Sequence, residues 1–155
     1  MQLGFAALPQ LATGKGEEEA RDQMAEASLL AGLAISHTRT ALCHSMSYPI
    51  TAHFGVPHGL ACAFTMPAVL RHNLQAEDGR FAHVAQMLTG KPDLDGLITC
   101  FEQLHADMQV HEQVAVKIPT LDALLALEGE MFTPGRADNS LQPVQKLSGL
   151  LKSSW

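Results

Sequence analysis

An all-α fold, a bundle of five or six helices, is predicted by three features of this 155-residue sequence. Apolar residues recur at three- and four-residue steps over long stretches, Pro and Gly punctuate those stretches, and no convincing pair of alternating strand-like runs is present. The chain is read as a single helical domain over residues 1–155.

The longest helical pattern covers residues 17–47. Glu17, Glu18 and Glu19 open it, where the helix dipole favours negative charge, and Met24, Ala27, Leu30 (or Leu29), Leu33 and Ala34 recur at helical steps. The small residues of Ala31-Gly32-Leu33-Ala34 admit a neighbouring backbone closely, at some cost in helix propensity at Gly32, so this helix is expected in the middle of a bundle. Pro49 disfavours helical geometry at Tyr48 and sets the expected end there. Thr51, His53 and Gly55 then predict a loop over residues 50–56.

Pro57 suits the first turn of a second helix over residues 58–73, which Pro67 should kink or break. A third helix is predicted over residues 77–88, closed by Thr89-Gly90-Lys91-Pro92. Asp93 can cap a fourth over residues 94–107, with Leu97, Cys100 or Phe101, and Leu104 on one face. Residues 114–118 are open between strand and extended linker. Pro119-Thr120 precedes a fifth helix over residues 121–132, residues 133–139 are loop by composition, and a last helix follows Pro143 and ends before Trp155.

Composition narrows the function. The chain is 46% hydrophobic, enough for an ordinary folded domain without disulfides or a structural metal. Its net charge of -6 and its lack of any Lys/Arg run argue against nucleic acid or an anionic membrane as partner. Three cysteines, Cys43, Cys62 and Cys100, form no C-x-x-C pair, which fits a reducing cytoplasm rather than a disulfide framework. No apolar run reaches the roughly 20 residues of a membrane-spanning helix, and the N-terminus lacks the basic start of a secretion signal. Neither G-x-G-x-x-G nor G-x-x-x-x-G-K occurs, so no nucleotide-binding sheet is carried here.

Histidine is the unusual residue. Four of the eight, His37, His44, His53 and His58, fall within 22 positions. On the helix assignments above, His44 stands on the last turn of the long helix and His58 on the first turn of the next. A Pro-ended helix followed by a Pro-started one can bring the two rings together, as a metal pair donated by neighbouring helices requires. Two imidazoles are half of a usual site. The alternative is that each is a satisfied core or surface residue. His37, two turns before His44, is a further candidate ligand, and His53 is expected in the loop, exposed or near a substrate.

The runs Ala31-Gly32-Leu33-Ala34-Ile35-Ser36, Ala41-Leu42-Cys43-His44, and Tyr48-Pro49-Ile50-Thr51-Ala52-His53-Phe54-Gly55-Val56-Pro57-His58-Gly59-Leu60-Ala61-Cys62-Ala63, followed by Met66-Pro67, resemble the C-terminal helical domain of the iron-containing (group III) alcohol dehydrogenases, of the dehydroquinate synthase-like fold. The resemblance covers roughly residues 8–75, and the final helix ending in Trp155 is similar too. It implies a metal, Fe²⁺ or Zn²⁺, held by one aspartate and three histidines in a cleft beside an N-terminal NAD(P)-binding domain, and hydride transfer between an alcohol and an aldehyde or ketone. His44 and His58 match the last two of those histidines. The family's aspartate and first histidine form an Asp-x-x-x-His pattern that does not occur upstream of His44. The sequence therefore resembles a C-terminal fragment, with half a metal site, inactive by itself and prone to homo-oligomerise through the face that docks the missing domain.

Many family members carry His four residues after the ligand that His44 matches, near the nicotinamide; here Tyr48 occupies that position. In this the chain resembles the branch around phosphonoacetaldehyde reductases, and Tyr48 becomes the candidate cofactor-contacting residue. A phenol stays protonated near pH 7, so it does not replace a histidine as a neutral base. The competing expectation is a free-standing helical module that binds metal or associates through an apolar face.

Overall fold

A computed structural model of the chain describes residues 1–14 and 18–155; the expected helix start at Glu17 lies outside them. Among the described residues every regular element is helical: α1 (Gln2–Ala12), α2 (Glu18–His37), α3 (Leu42–Phe54), α4 (His58–Phe64), α5 (Met66–Asn73), α6 (Arg80–Thr89), α7 (Leu94–Asp107), α8 (Val110–Ala115), α9 (Leu121–Leu125) and α10 (Ser148–Ser154), with 3₁₀ turns at Leu74–Ala76 and Glu128–Met131. The predicted all-α class holds. No described helix is long and apolar enough to cross a membrane. The residues pack as two compact units, 1–39 with 80–108 and 40–79 with 109–155.

In the first unit α1 lies on α2 and α7, and α6 on α7. Ala7, Ala20, Ala85 and Leu97 are buried, and Phe5 meets Phe101 edge-on at 4.9 Å between ring centroids. Asp93 caps α7 as expected, its carboxylate accepting the Asp95 N–H at 3.1 Å. Helix α6 begins at Arg80 rather than at residue 77 because Gly79 takes a positive φ of 99° and donates its N–H to the Glu77 carboxylate at 2.8 Å, a turn that a helix cannot contain.

The expectation for α2 fails in two respects. Ala20 is its one buried residue among those described, whereas Leu29, Leu30, Leu33 and Ile35 are 48 to 63% exposed, so the helix does not sit in the middle of a bundle. It also stops at His37 instead of continuing to residue 47. Hydroxyls bond back to the backbone at that end, Ser36 to the Leu33 carbonyl at 2.7 Å and Thr38 to that of Ala34 at 2.9 Å. Thr40 is engaged elsewhere: its hydroxyl accepts from Arg136 at 3.1 Å and its carbonyl from the Asn139 amide at 3.2 Å. Local side-chain bonds of this kind compete with the helix ladder.

The second unit is built around α3, which packs on α4, α5 and the 3₁₀ turn Glu128–Met131. Leu42, Met46 and Ile50, at four-residue steps, are fully buried. That stripe carries α3 through Pro49 to Phe54, and the end expected near Tyr48 is not observed. A proline inside a helix costs ~3 kcal/mol, and burying three large apolar side chains at about 1.5–3 kcal/mol each outweighs it. The helix closes at Gly55, with φ of 64° and its N–H on the Thr51 carbonyl at 3.0 Å.

The expected break near Pro67 is a one-residue interruption at Thr65 between α4 and α5, with Pro67 in the first turn of α5. Residues 114–118 are neither strand nor extended linker: they form the end of α8 and the turn after it, burying Val114 and Ile118 and exposing Val116. Thr120 caps α9 through the Ala123 N–H at 3.1 Å, and a 3₁₀ turn replaces the rest of the expected fifth helix. The last helix starts only at Ser148, because residues 140–142 are drawn onto buried Asn73, whose carbonyl oxygen accepts from the Ser140 hydroxyl at 2.8 Å and the Gln142 N–H at 3.0 Å.

Candidate metal centre

Of the residues at issue, His44, Tyr48, His53 and His58 lie in the second unit and His37 in the first. His44 is on the first turn of α3, not on the last turn of a preceding helix, and His58 is the first residue of α4. The turn at Gly55-Val56-Pro57 folds α4 back on α3 and brings the two rings to 5.3 Å between centroids at 66°. Cys62, one helical turn after His58, faces the same way, and its Sγ lies 3.7 Å from His58 Nε2. One ligating atom from each of His44, His58 and Cys62 falls within 4.8 Å of the others. His58 is exposed, His44 half-buried and Cys62 buried, so the cluster opens at the surface.

Ser47 orders this cluster. Its hydroxyl donates to the His44 carbonyl at 2.8 Å and also stands 3.3 Å from His58 Nδ1. A hydroxyl has one proton; with that proton on the carbonyl, Ser47 accepts from His58 Nδ1–H, which leaves the Nε2 lone pair of the neutral ring free and directed toward Cys62. Burial first, then the neighbouring His58 and the Arg136 guanidinium, hold the His44 imidazole below its usual range, which favours the form with a free lone pair. Burial pushes the Cys62 thiol up, against a lowering contribution from the Ser47 hydroxyl. Two imidazoles and a sulfur make a donor set whose chemistry fits a borderline divalent ion of the iron or zinc kind.

Tyr48 lies beside the cluster, 39% exposed, its ring stacked on His58 at 5.6 Å and 13° and facing the Arg136 guanidinium at 5.3 Å from the ring centroid. The other two histidines have partners of their own. His37 ends α2, its Nδ1 bonded to the Leu33 carbonyl at 3.0 Å and to Ser36, and the helix break before α3 removes the shared face with His44 on which its candidacy depended. His53 is on the last turn of α3, not in a loop, and pairs with Glu130 at 2.9 Å. Sequence reasoning missed Cys62, Ser47 and Arg136. The first two follow from helical spacing, His58 to Cys62 at four residues and His44 to Ser47 at three; Arg136 approaches from a distant loop and leaves no local signal.

A fold of helices with two histidines converging from α3 and α4 can be compared with known proteins. The profile of the "Fe-containing alcohol dehydrogenase family, C-terminal" matches residues 1–118. The chain belongs to this family. Among its curated relatives, the 1,3-propanediol dehydrogenase of Klebsiella pneumoniae is 31% identical over 150 residues, 88% of this chain and 38% of that protein. The NADPH-dependent butanol dehydrogenase of Clostridium saccharobutylicum is 36% identical over 101 residues, 62% of this chain and 26% of that protein. The lactaldehyde reductase of Escherichia coli K12 is 30% identical over 73 residues, 47% of this chain and 19% of that protein. The chain thus spans well under half the length of the iron-containing alcohol dehydrogenase relatives it matches.

Proposed function

We propose that this chain supplies the metal-binding helical part of an NAD(P)-dependent alcohol dehydrogenase that interconverts a small alcohol with its aldehyde or ketone. The observation that carries the reading is the convergence of His44 and His58 from α3 and α4, with ligating atoms within 4.8 Å. Family membership and the printed activities of the relatives, which include butanol and 1,3-propanediol dehydrogenases, supply the reaction class.

In this reading His44 and His58 hold Fe²⁺ or Zn²⁺, and the remaining donors and the dinucleotide site come from sequence outside these 155 residues, which contain neither an Asp-x-x-x-His pattern upstream of His44 nor a glycine-rich phosphate loop. The bound metal supplies Lewis acidity toward the alcohol or carbonyl oxygen, and NAD(P) carries the hydride. The chain's own residues position that chemistry. Ser47 keeps His58 in the tautomer that presents Nε2, and Arg136 with Tyr48 borders the open side of the cluster, where an anionic or strongly polar group of substrate or cofactor would be received. Tyr48 would contact the nicotinamide in this reading, as a packing surface and hydrogen-bonding phenol rather than as a base.

The test is metal retention with and without the pair. Purified chain incubated anaerobically with Fe²⁺ or with Zn²⁺ and then desalted is expected to retain metal, and His44→Ala or His58→Ala to lose it. Neither form should reduce butyraldehyde with NADH or NADPH. Equal retention by the double variant removes the metal pair, and turnover by the chain alone removes the division of labour between this part and the rest.

A further inference from the structure

Helix α10 packs on α5, and between them the second unit holds a surface cleft of about 370 Å³ that shares no residue with the histidine cluster. Its walls are pinned. The Ser140 hydroxyl and the Gln142 N–H bond to Asn73 on α5, and His72 Nε2 donates to the Gln142 carbonyl at 3.2 Å. The N–H groups of Leu147 and Ser148 bond to the Glu128 carboxylate. Residues 140–148 are thereby held along α5, and the cleft is formed before any ligand arrives. Charge sorts onto its rim. Arg71 comes from α5 and Lys146 from the turn before α10, beside His72; the remaining polar lining, Gln75 and Ser153, is neutral, and among the described residues no carboxylate lines the cleft. A chain with 10 Lys and Arg and a net charge of -6 has set two of those cations at one concavity. Low-dielectric walls focus their field on whatever enters. The floor is apolar, made by Ala68, Val144 and Leu150. Gly149 leaves room over that floor, since a Cβ there would meet nothing within 4 Å.

A forked guanidinium and an ammonium, donated by two separate segments, match an anion with several oxygens and more than one negative charge better than they match a lone carboxylate. At about 370 Å³ the cleft stands at the small end of ligand pockets, which run about 300–1,000 Å³. We propose that this cleft binds a small phosphate monoester, with the phosphate between Arg71 and Lys146 and a short carbon chain on Ala68, Val144 and Leu150. The ligand bridges α5 and α10 by charge-assisted hydrogen bonds and apolar contact, and no covalent bond forms or breaks. The site uses none of His44, Tyr48 and His58 and does not depend on the metal reading.

Titration of the full 155-residue chain, freed of metal with a chelator, by n-butyl phosphate tests this, with backbone amide shifts in two-dimensional NMR as the readout and inorganic phosphate, butyrate and butanol as comparison probes. The expected result is saturable binding of butyl phosphate with shifts concentrated over residues 68–75 and 142–153, weaker binding of inorganic phosphate and of butyrate, and none of butanol. Arg71→Gln and Lys146→Gln should each weaken binding about tenfold, the loss expected for one hydrogen bond to a charged group. Lys117→Gln makes the same charge change in the same unit outside the cleft and should leave binding unchanged. Gly149→Glu sets a carboxylate into the open space, favours the helix, and should abolish binding with the far-ultraviolet spectrum unchanged. Equal weakening by Lys146→Gln and Lys117→Gln, or shifts that grow without saturation, overturns the site in favour of diffuse attraction to the surface. Full binding by Gly149→Glu places the ligand elsewhere and overturns it too. Inorganic phosphate or butyrate binding as tightly as butyl phosphate overturns the choice of a phosphate monoester.

Discussion

Ser45 and Ser47 flank Met46 on α3 and show how one hydroxyl can serve either the fold or the site. Ser47 turns to His44 and His58; Ser45, fully buried, donates to the Met131 carbonyl and accepts the Thr133 N–H at 2.9 Å. Ser45→Ala leaves a carbonyl and an amide without this partner in a dry place, so it is expected to destabilise the chain by about 1–3 kcal/mol, read as a lower urea midpoint at constant m-value. An unchanged midpoint would show that both groups find water. At this scale the sequence was informative where chemistry is local. The spacing of His44 and His58 and the Pro57 start of the second helix were readable, whereas the loop between them is confined to residues 55–57 rather than 50–56, and helical spacing also held the Cys62 and Ser47 contacts. The bonds from Ser45 to residues 131 and 133, and from Arg136 to Thr40, join positions far apart in the chain, and nothing in the neighbouring sequence marks them.

Elements follow local rules until packing overrides them. The N-cap at Asp93 and the break near Pro67 were legible because capping and proline chemistry act within one turn. The course of α3 through Pro49 was not, since the burial of Leu42, Met46 and Ile50 that holds it depends on α4 and the Glu128–Met131 turn. The late start of α10 has the same kind of cause. One Glu128 carboxylate oxygen accepts the N–H groups of Leu147 and Ser148, the latter at 3.0 Å, and so fixes the first turn of a helix that buries Leu151. Hydrogen bonds to a charged acceptor contribute about 1.5–3 kcal/mol. Glu128→Ala should therefore cost on that order in stability and raise amide exchange across residues 147–155 before the rest of the second unit. Glu128→Gln, which keeps one acceptor oxygen, should retain most of the protection. Uniform loss of protection across both units would place the effect elsewhere.

At the scale of the molecule, the all-α class was legible because apolar steps of three and four persist through most of the chain, but the division into two units was not. Each unit is assembled from two separated stretches of sequence, changing over after Arg39, Gly79 and Met108, and none of these points carries the Pro/Gly/Ser-rich composition of a linker. The failed expectation for α2 has a consequence for behaviour in solution. Leu29 and Leu33 lie four residues apart and Leu30 three before Leu33, so these exposed side chains form one stripe along the helix rather than scattered contacts with water. In a purified solution of the chain the same stripe on another copy is one apolar surface available to cover it, and two helices related by a twofold axis could bury it mutually. Opposing this, the net charge of -6 is screened at physiological salt beyond about 8 Å and acts weakly across such an interface. The expected outcome is a concentration-dependent mass above the 16.7 kDa of one chain in size exclusion with light scattering. Leu29→Glu with Leu33→Glu should return the mass to that of one chain, with helix content unchanged because glutamate is as good a helix former at exposed positions. A single-chain mass for the wild type at every concentration would mean that the stripe is stable in water, and the case for a partner on this face would go with it.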